Sequence, residues 1–169
     1  MRPPDNFRWP RFTLYRLMPL ICPDRRDIFI RAHRKSLDKA KKTLKLLTKR
    51  NRGRNVQAVM QEVKVFIRGW IGYYRVADMK RTMMSWDEWL RRRFRMYIWK
   101  QWKTPKTKVA NLRKLGIPAD QAYRCGNSRL GYWRIAGSPV LQRSITNERL
   151  AAAGYFSILN GYESLHLCG

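Results

Sequence analysis

Apolar residues recur along most of the chain at steps of three and four positions, which is the spacing of one face of an α-helix. The first stripe is Leu37, Ala40, Leu44 and Leu47. The turn-forming sequence NRGRN at 51–55 ends it. The second stripe falls within about a third of a helical wheel. Its members are Val56, Val59, Met60, Val63, Phe66, Ile67, Trp70, Ile71 and Tyr74. Gly69 and Gly72 inside it predict that another backbone approaches closely.

A third helix is predicted to begin at Ser85, because Glu88 three residues later completes a capping box. One face of this helix is apolar and predicts core positions. These are Trp86, Trp89, Leu90, Phe94, Tyr97 and Ile98, with Trp102 at the edge. The opposite face is basic and has an aromatic near its centre. It consists of Arg92, Arg95, Lys103 and Trp99. Two interpretations of Trp99 stay open: it covers another segment of the protein, or it stacks on a nucleic-acid base.

Shorter elements follow this helix. Thr104-Pro105 breaks it, and a helix is predicted from Lys106 to Leu115, where Gly116 stops it. Pro118 suits the first turn of the next helix, which runs through Cys125. The glycine-rich stretch 126–139 is predicted as a loop. Thr146 is predicted to cap a further helix, and a last short one starts at Gly154-Tyr155. No alternation is strong enough to predict a sheet, so the predicted fold class is all-α.

The first segment of the chain has a different composition. Five of the eight prolines fall within residues 1–24, and the segment is rich in arginine and poor in acids. Regular helix does not tolerate this density of proline. We therefore predict an extended, poorly ordered leader over residues 1–27, and we prefer it to an amphipathic targeting helix.

Charge is the most unusual property of the sequence. The chain has 37 Lys and Arg against 11 Asp and Glu, a net charge of +26. Such a chain repels itself unless it meets a polyanion, so nucleic acid is the first partner to consider and a membrane surface the second. No apolar run approaches the roughly 20 residues of a transmembrane helix. Ten Lys and Arg, and no acid, lie between Glu88 and Asp120.

Motifs that would indicate an enzyme or a cofactor are not found. The three cysteines, Cys22, Cys125 and Cys168, are far apart, and His33 and His166 have no partners at metal spacing. We therefore predict no metal and no cofactor, although a chance Cys–His couple stays open. The adjacent Asp87 and Glu88 are interpreted as first-turn residues that favour the helix dipole. The residues alone predict a basic, helical binding module.

Five blocks of the sequence resemble one known family. They are RGWIGYYRVADMK (68–80), WDEWLRRRFRMYIWKQWKTPKT (86–107), NLRKLGI (111–117), GYWRIAGSPVLQRSITNERL (131–150) and GYFSILNGYESLH (154–166). They are similar to the C-terminal part of group II intron-encoded proteins, in which a reverse transcriptase is followed by a helical thumb and a maturase domain. The resemblance covers about residues 28–166. It implies a basic, thumb-like helical bundle at 28–84 and a helical maturase domain with a glycine- and aromatic-rich loop at 85–169.

The resemblance also implies what the protein does. In this family the maturase domain binds structured intron RNA and promotes its folding and splicing. The Tyr/Phe-Ala-Asp-Asp motif of the polymerase palm belongs before residue 28 and is not found, so we expect no reverse transcriptase activity. Two alternatives stay open: a non-specific polyanion-binding remnant, and a polymerase piece active only with a separate palm. Intron RNA is the expected partner, with a dimer or a separate palm as further ones. The expected location is the bacterial cytoplasm, with an organelle as the alternative.

Several basic and aromatic residues are candidates for contact with RNA, because Arg and Lys bind phosphates and aromatic rings stack on bases. On the thumb-like helix they are Lys64, Arg68 and Arg75. On the central helices they are Arg92, Arg95, Trp99, Lys103, Lys106 and Lys108. In the glycine-rich stretch they are Arg129, Tyr132, Trp133 and Arg134. Tyr132 and Trp133 have a second interpretation, as plugs over the core.

Overall fold

The computed structural model describes residues 12–16, 28–51 and 53–166. Two short strands, β1 (Phe12–Arg16) and β2 (Ile28–Ala32), pair antiparallel. This ribbon was not expected from the sequence, because five-residue strands carry too little alternation to stand out. The rest of the predicted leader lies outside the described residues. Helices make up most of the described chain, so the prediction of an all-α fold is confirmed.

The first two helices agree with the hydrophobic pattern. They are α1 (Arg34–Leu47) and α2 (Val56–Tyr73). The Asn55 side chain caps α2 by accepting a hydrogen bond from the Gln57 amide. Six residues of the predicted α2 stripe are buried, and the other three are partly buried against the same core.

The predicted role of the α2 glycines is wrong. Gly69 and Gly72 are exposed, and a Cβ atom added at either would meet nothing within 4 Å. No neighbouring backbone requires a glycine at these positions. Both residues therefore only weaken the helix, because glycine gives up more conformational freedom than other residues when it becomes helical.

The third helix, α3 (Lys80–Gln101), begins five residues earlier than predicted. Its N-cap residue is Met79, whose side chain makes no capping hydrogen bond, so the predicted capping box at Ser85 is wrong. Met79 and Met83 are buried, and the apolar face therefore extends upstream of the predicted start. As a result, Asp87 lies inside the helix and not in its first turn.

Six shorter helices follow in the described chain. They are α4 (Pro105–Lys114), α5 (Ala119–Gly126), α6 (Tyr132–Ala136), α7 (Pro139–Ser144), α8 (Asn147–Ala152) and α9 (Ile158–His166). Thr104 and Thr146 cap α4 and α8 as predicted, and Gly116 ends α4 with a φ of 90°. The stretch 126–139, which was predicted as a loop, contains α6. The last helix was predicted to start at Gly154-Tyr155 but begins at Ile158, because Gly154 has a φ of 102° and ends α8.

α3 is the central helix, since α2, α6 and α9 all pack against it. The prediction that Trp86, Leu90 and Phe94 belong to the core is confirmed. The prediction of an outward basic face is wrong for Arg95, which is buried. Trp99 is buried as well, which agrees with the first of its two interpretations, that it covers another segment. A wheel drawn for one helix cannot show that helices from much later in the chain cover its second face. One core joins residues from Ala32 to Tyr162.

Candidate nucleic-acid interface

A buried carboxylate holds the last helix against α3. Asp87 is 2% exposed. It accepts hydrogen bonds from the Tyr155 hydroxyl (2.6 Å), the Ser157 hydroxyl (3.2 Å) and the Ile158 amide (2.9 Å). The Arg91 guanidinium pairs with it at 2.7 Å. Because Ile158 is the first residue of α9, Asp87 satisfies a free amide at the start of that helix. Asp87 is therefore a structural anchor.

Two buried arginines join α3 to neighbouring segments. The Arg95 guanidinium donates to the Ile145 carbonyl and to Asn147 Oδ1, both at 2.9 Å. Arg93 donates to the Thr48 hydroxyl and to the carbonyls of Lys45 and Thr48. Burial lowers the pKa of both guanidinium groups, which stay charged at neutral pH. The prediction that Arg95 faces RNA is corrected, because its donors are used inside the protein.

Trp99 covers a neighbouring segment and is not available for stacking. Its side chain is 1% exposed. Its ring lies 5.7 Å from that of Trp102, in an edge-to-face arrangement. The Lys108 Nζ atom lies 5.0 Å from the Trp99 ring centroid. The second interpretation, stacking on a base, is therefore wrong for this residue.

Three cations surround the ring of Tyr132. The Arg50 Cζ atom lies 4.4 Å from the ring centroid, the Lys100 Nζ atom 5.3 Å and the Lys108 Nζ atom 5.6 Å. We call these four residues the Tyr132 cluster. Cations are attracted to the face of an aromatic ring, but three like charges around one ring also repel each other. A polyanion that neutralised them would relieve this repulsion.

Arg92 fixes α6 on α3. Its Nε and Nη2 atoms donate to the Trp133 carbonyl at 3.2 and 3.0 Å. Its guanidinium carbon lies 4.3 Å from the centroid of the Trp133 ring. Trp133 is nevertheless 39% exposed, so the plug interpretation does not describe it. Tyr132 is partly buried against the core, which agrees with that interpretation.

A groove of about 470 Å³ lies beside this contact. We call it the indole groove; its lining residues are Asp38, Lys41, Lys42, Lys45, Trp89, Arg93 and Trp133. Lys41 Nζ lies 5.6 Å and Arg93 Cζ 5.0 Å from the Trp89 ring centroid. The sequence did not indicate the α1 lysines as part of a site. Trp89, which was predicted to be a core residue, is partly buried against the core and also lines the groove. The available signal was the lysine-rich sequence KAKKTLK, which places Lys41 and Lys45 one turn apart.

The other predicted contact residues lie at several places. Lys103 and Lys106 are exposed at the junction of α3 and α4, and Arg129 and Arg134 are exposed around the start of α6. Lys64, Arg68 and Arg75 lie on or just after α2, a different element from those that carry the Tyr132 cluster. Lys64 is half-buried, and the other two are exposed. Contact of these residues with RNA stays a prediction.

Cys125 is a half-buried free thiol, and burial raises its pKa. Across the described ranges, no three His, Cys, Asp or Glu side chains converge as metal ligands would. The side chains of Cys22, His166 and Cys168 lie outside the described residues. In the part of the chain that the structure describes, no helix is long and apolar enough to cross a membrane.

A comparison with protein families finds a match for the first half of the helical region. Residues 37–116 match the model of the group II intron, maturase-specific domain. This stretch of the chain is therefore similar to the maturase-specific domain of group II intron proteins. The comparison finds the maturase-specific domain and not a polymerase domain. A comparison with curated proteins finds no match.

The matched span does not follow the predicted domain division. It begins in α1 and ends just after α4, so it includes residues 37–84, which were predicted to be thumb-like. The helix α3 crosses the predicted boundary between residues 84 and 85. The thumb-like assignment of residues 28–84 stays a prediction. Arg50, Lys100 and Lys108 of the Tyr132 cluster all lie inside the matched span.

Proposed function

We propose that this protein binds structured group II intron RNA and so promotes the folding and splicing of that RNA. The observation that carries the proposal is the Tyr132 cluster, in which three cations from the stretch similar to the group II intron, maturase-specific domain gather at one ring. Folded RNA brings phosphates close together and needs cations at fixed positions. Helices that share one core can supply them.

Under this proposal the protein contributes binding and the RNA contributes the splicing chemistry. A net charge of +26 favours capture of any polyanion. Each phosphate neutralised releases counterions, so affinity falls steeply as salt rises. Specificity must then come from the shape of the RNA and from its unpaired bases. The place of action would be wherever the intron is transcribed, for which we propose the bacterial cytoplasm.

A filter-binding titration at about 150 mM salt tests the proposal. It compares folded group II intron RNA with an unrelated structured RNA of equal length. We expect the intron to bind at least about tenfold more tightly, or about 1.4 kcal/mol. The triple variant Lys100→Ala/Lys103→Ala/Lys106→Ala should lose most of this preference. All three side chains are exposed, so their removal leaves the core intact.

The matched control is Arg113→Ala/Lys114→Ala/Arg124→Ala. It removes the same charge from exposed positions on α4 and α5 and should keep the preference. Equal binding of the wild-type protein to both RNAs would refute the proposal. It would favour the alternative, a non-specific polyanion binder. A second readout is intron splicing in vitro, which the wild-type protein should accelerate at limiting magnesium and the triple variant should not.

A further inference from the structure

We propose that the indole groove is a binding site for an unpaired stretch of RNA, in which one base stacks on Trp133 and the adjacent phosphates lie against the α1 lysines. The inference rests on the proposed function only in taking RNA as the polyanion. It adds two things that the Tyr132 cluster does not indicate. These are a location for the contact and a structural class of ligand, which is single-stranded RNA.

The position of Trp133 is fixed by Arg92, and its side chain stays accessible to a base. Two hydrogen bonds from Arg92 hold its backbone carbonyl, and the same guanidinium lies 4.3 Å from its ring centroid. Trp133 as a residue is still 39% exposed, and it lines the groove. A large aromatic ring that is fixed at its backbone and open to solvent gives a stacking partner at little entropic cost. Stacking tolerates any base, because every base has a π face.

The charges of the groove suit a phosphodiester strand. Lys41, Lys42, Lys45 and Arg93 line it together with one carboxylate, Asp38. Lys41 and Lys45 are one helical turn apart, about 6 Å along the axis of α1. Their ammonium groups can therefore reach different phosphates of one strand. The Asp38 carboxylate can accept a hydrogen bond from a base amino group or a ribose hydroxyl.

Stacking on Trp133 requires an unpaired base and not a paired helix. The volume of the groove, about 470 Å³, lies in the range of about 300–1,000 Å³ that is typical of sites for small ligands. In an A-form duplex, both faces of each base are covered by neighbouring bases, and the major groove is too narrow for side chains. Only a base that has left its stack can lie on the Trp133 ring.

Fluorescence anisotropy with a labelled oligouridylate of about eight nucleotides tests the site, with a duplex of the same length for comparison. The wild-type protein should bind the single strand at least about fivefold more tightly than the duplex. Trp133→Leu should lose at least about fivefold in single-strand affinity, because it keeps an apolar cover over Arg92 but has no π face. Trp133→Phe should retain most of the affinity. Far-UV circular dichroism checks that each variant is folded.

Two further variants separate stacking from charge. Tyr123→Ala removes an aromatic side chain that is 66% exposed on α5 and does not line the groove; it should bind the single strand as the wild-type protein does. Lys41→Ala/Lys45→Ala should make the fall of log K with log salt less steep by about 1.4. Each lysine that neutralises a phosphate of a single strand steepens that fall by about 0.7, and the variant removes two lysines.

The outcomes distinguish this inference from the proposed function. If Trp133→Leu binds the single strand as tightly as the wild-type protein, or if the duplex binds as tightly as the single strand, the groove proposal is overturned. A preference for intron RNA can survive that result. Conversely, single-strand binding that depends on Trp133, without any preference for intron RNA, supports the groove and contradicts the proposed function.

Discussion

The hydroxyl of Tyr155 donates a 2.6 Å hydrogen bond to the carboxylate of Asp87, 68 residues earlier in the chain. Asp87 lies inside α3, and Tyr155 precedes the first turn of α9. Hydrogen bonds to an ionised acceptor are roughly twice as strong as those between neutral groups. This contact and its neighbours, the amide of Ile158 and the hydroxyl of Ser157, fix the position of the last helix on the central one.

Removal of this carboxylate should destabilise the protein strongly. Asp87→Ala leaves the Ile158 amide and the Tyr155 hydroxyl without their acceptor. We expect a loss of about 2–4 kcal/mol in the free energy of unfolding, measured by urea denaturation. Glu88→Ala is the matched control, because Glu88 is adjacent in sequence and exposed. It should change stability by less than about 0.5 kcal/mol. Equal effects of the two substitutions would contradict the anchoring role.

The same contact predicts a loss of stability in alkali. Burial, and then the negative charge of Asp87, raise the pKa of Tyr155 far above its ordinary value. In the unfolded chain the phenol ionises near pH 10. Above that pH the unfolded state releases a proton that the folded state keeps, so stability falls as pH rises, by about 1.4 kcal/mol per pH unit. Below it both states are protonated, and Tyr155 adds no pH dependence.

Urea unfolding between about pH 9 and about pH 11 measures this effect. Lysines also titrate in that range, so the informative quantity is the difference between the wild-type protein and Tyr155→Phe. The variant has no hydroxyl to ionise and should lose stability less steeply as the pH rises. Parallel pH profiles for the two proteins would show that Tyr155 ionises equally readily in both states.

Substitution of Arg95 should lower the stability of the protein and leave its affinity for RNA nearly unchanged. Arg95→Ala leaves the buried Ile145 carbonyl without its donor, so we expect stability to fall by roughly 1–3 kcal/mol. The affinity of the folded variant for RNA should stay within about twofold of the wild-type value. Lys103→Ala should show the reverse, a weaker salt dependence of binding at unchanged stability, because Lys103 is exposed. A large, specific loss of RNA affinity in folded Arg95→Ala would show that this guanidinium does reach RNA.

The exposed glycines of α2 offer a gain in stability. Gly69→Ala and Gly72→Ala add a Cβ atom to open space and should each stabilise the protein by roughly 0.5–1 kcal/mol. Gly116→Ala is the contrasting variant, since Gly116 has a φ of 90°. An alanine there is strained and should cost about 1–2 kcal/mol. Thermal melts of the three variants check the sign of each effect, and destabilisation by both α2 substitutions would show that these glycines serve a contact.

Local patterns in the sequence predicted the helices well. The stripe of α2 and the caps at Thr104 and Thr146 depend on residues within one or two turns of each other, so a single sequence contains the required information. The predicted start of α3 is wrong because it relied on a local motif alone. Ser85 and Glu88 form a local motif that fits a helix start, but the buried Met79 and Met83 extend the apolar face of the helix upstream of it.

Long-range burial could not be predicted from the sequence. The Arg95 side chain is buried, and its guanidinium donates hydrogen bonds to Ile145 and Asn147, about 50 residues later in the chain. The indole groove combines α1, α3 and α6, and no spacing within one element indicates that Lys41 and Trp133 line the same groove. Tyr132 and Trp133 were predicted as possible stacking residues or plugs over the core, but the sequence did not indicate that Arg50 and Arg92 lie at their rings.

The central position of α3 has a consequence for synthesis of the protein. Translation proceeds from the N-terminus at roughly 5–20 residues per second, so α3 is complete several seconds before Ile158 is added. Until then the face of α3 that α6 and α9 later cover is exposed to water, and the Asp87 carboxylate has Arg91 of the same helix as its partner but not yet Tyr155 or the Ile158 amide. The nascent chain is therefore most prone to aggregation during this interval. Its core closes only when the last helix has left the ribosome.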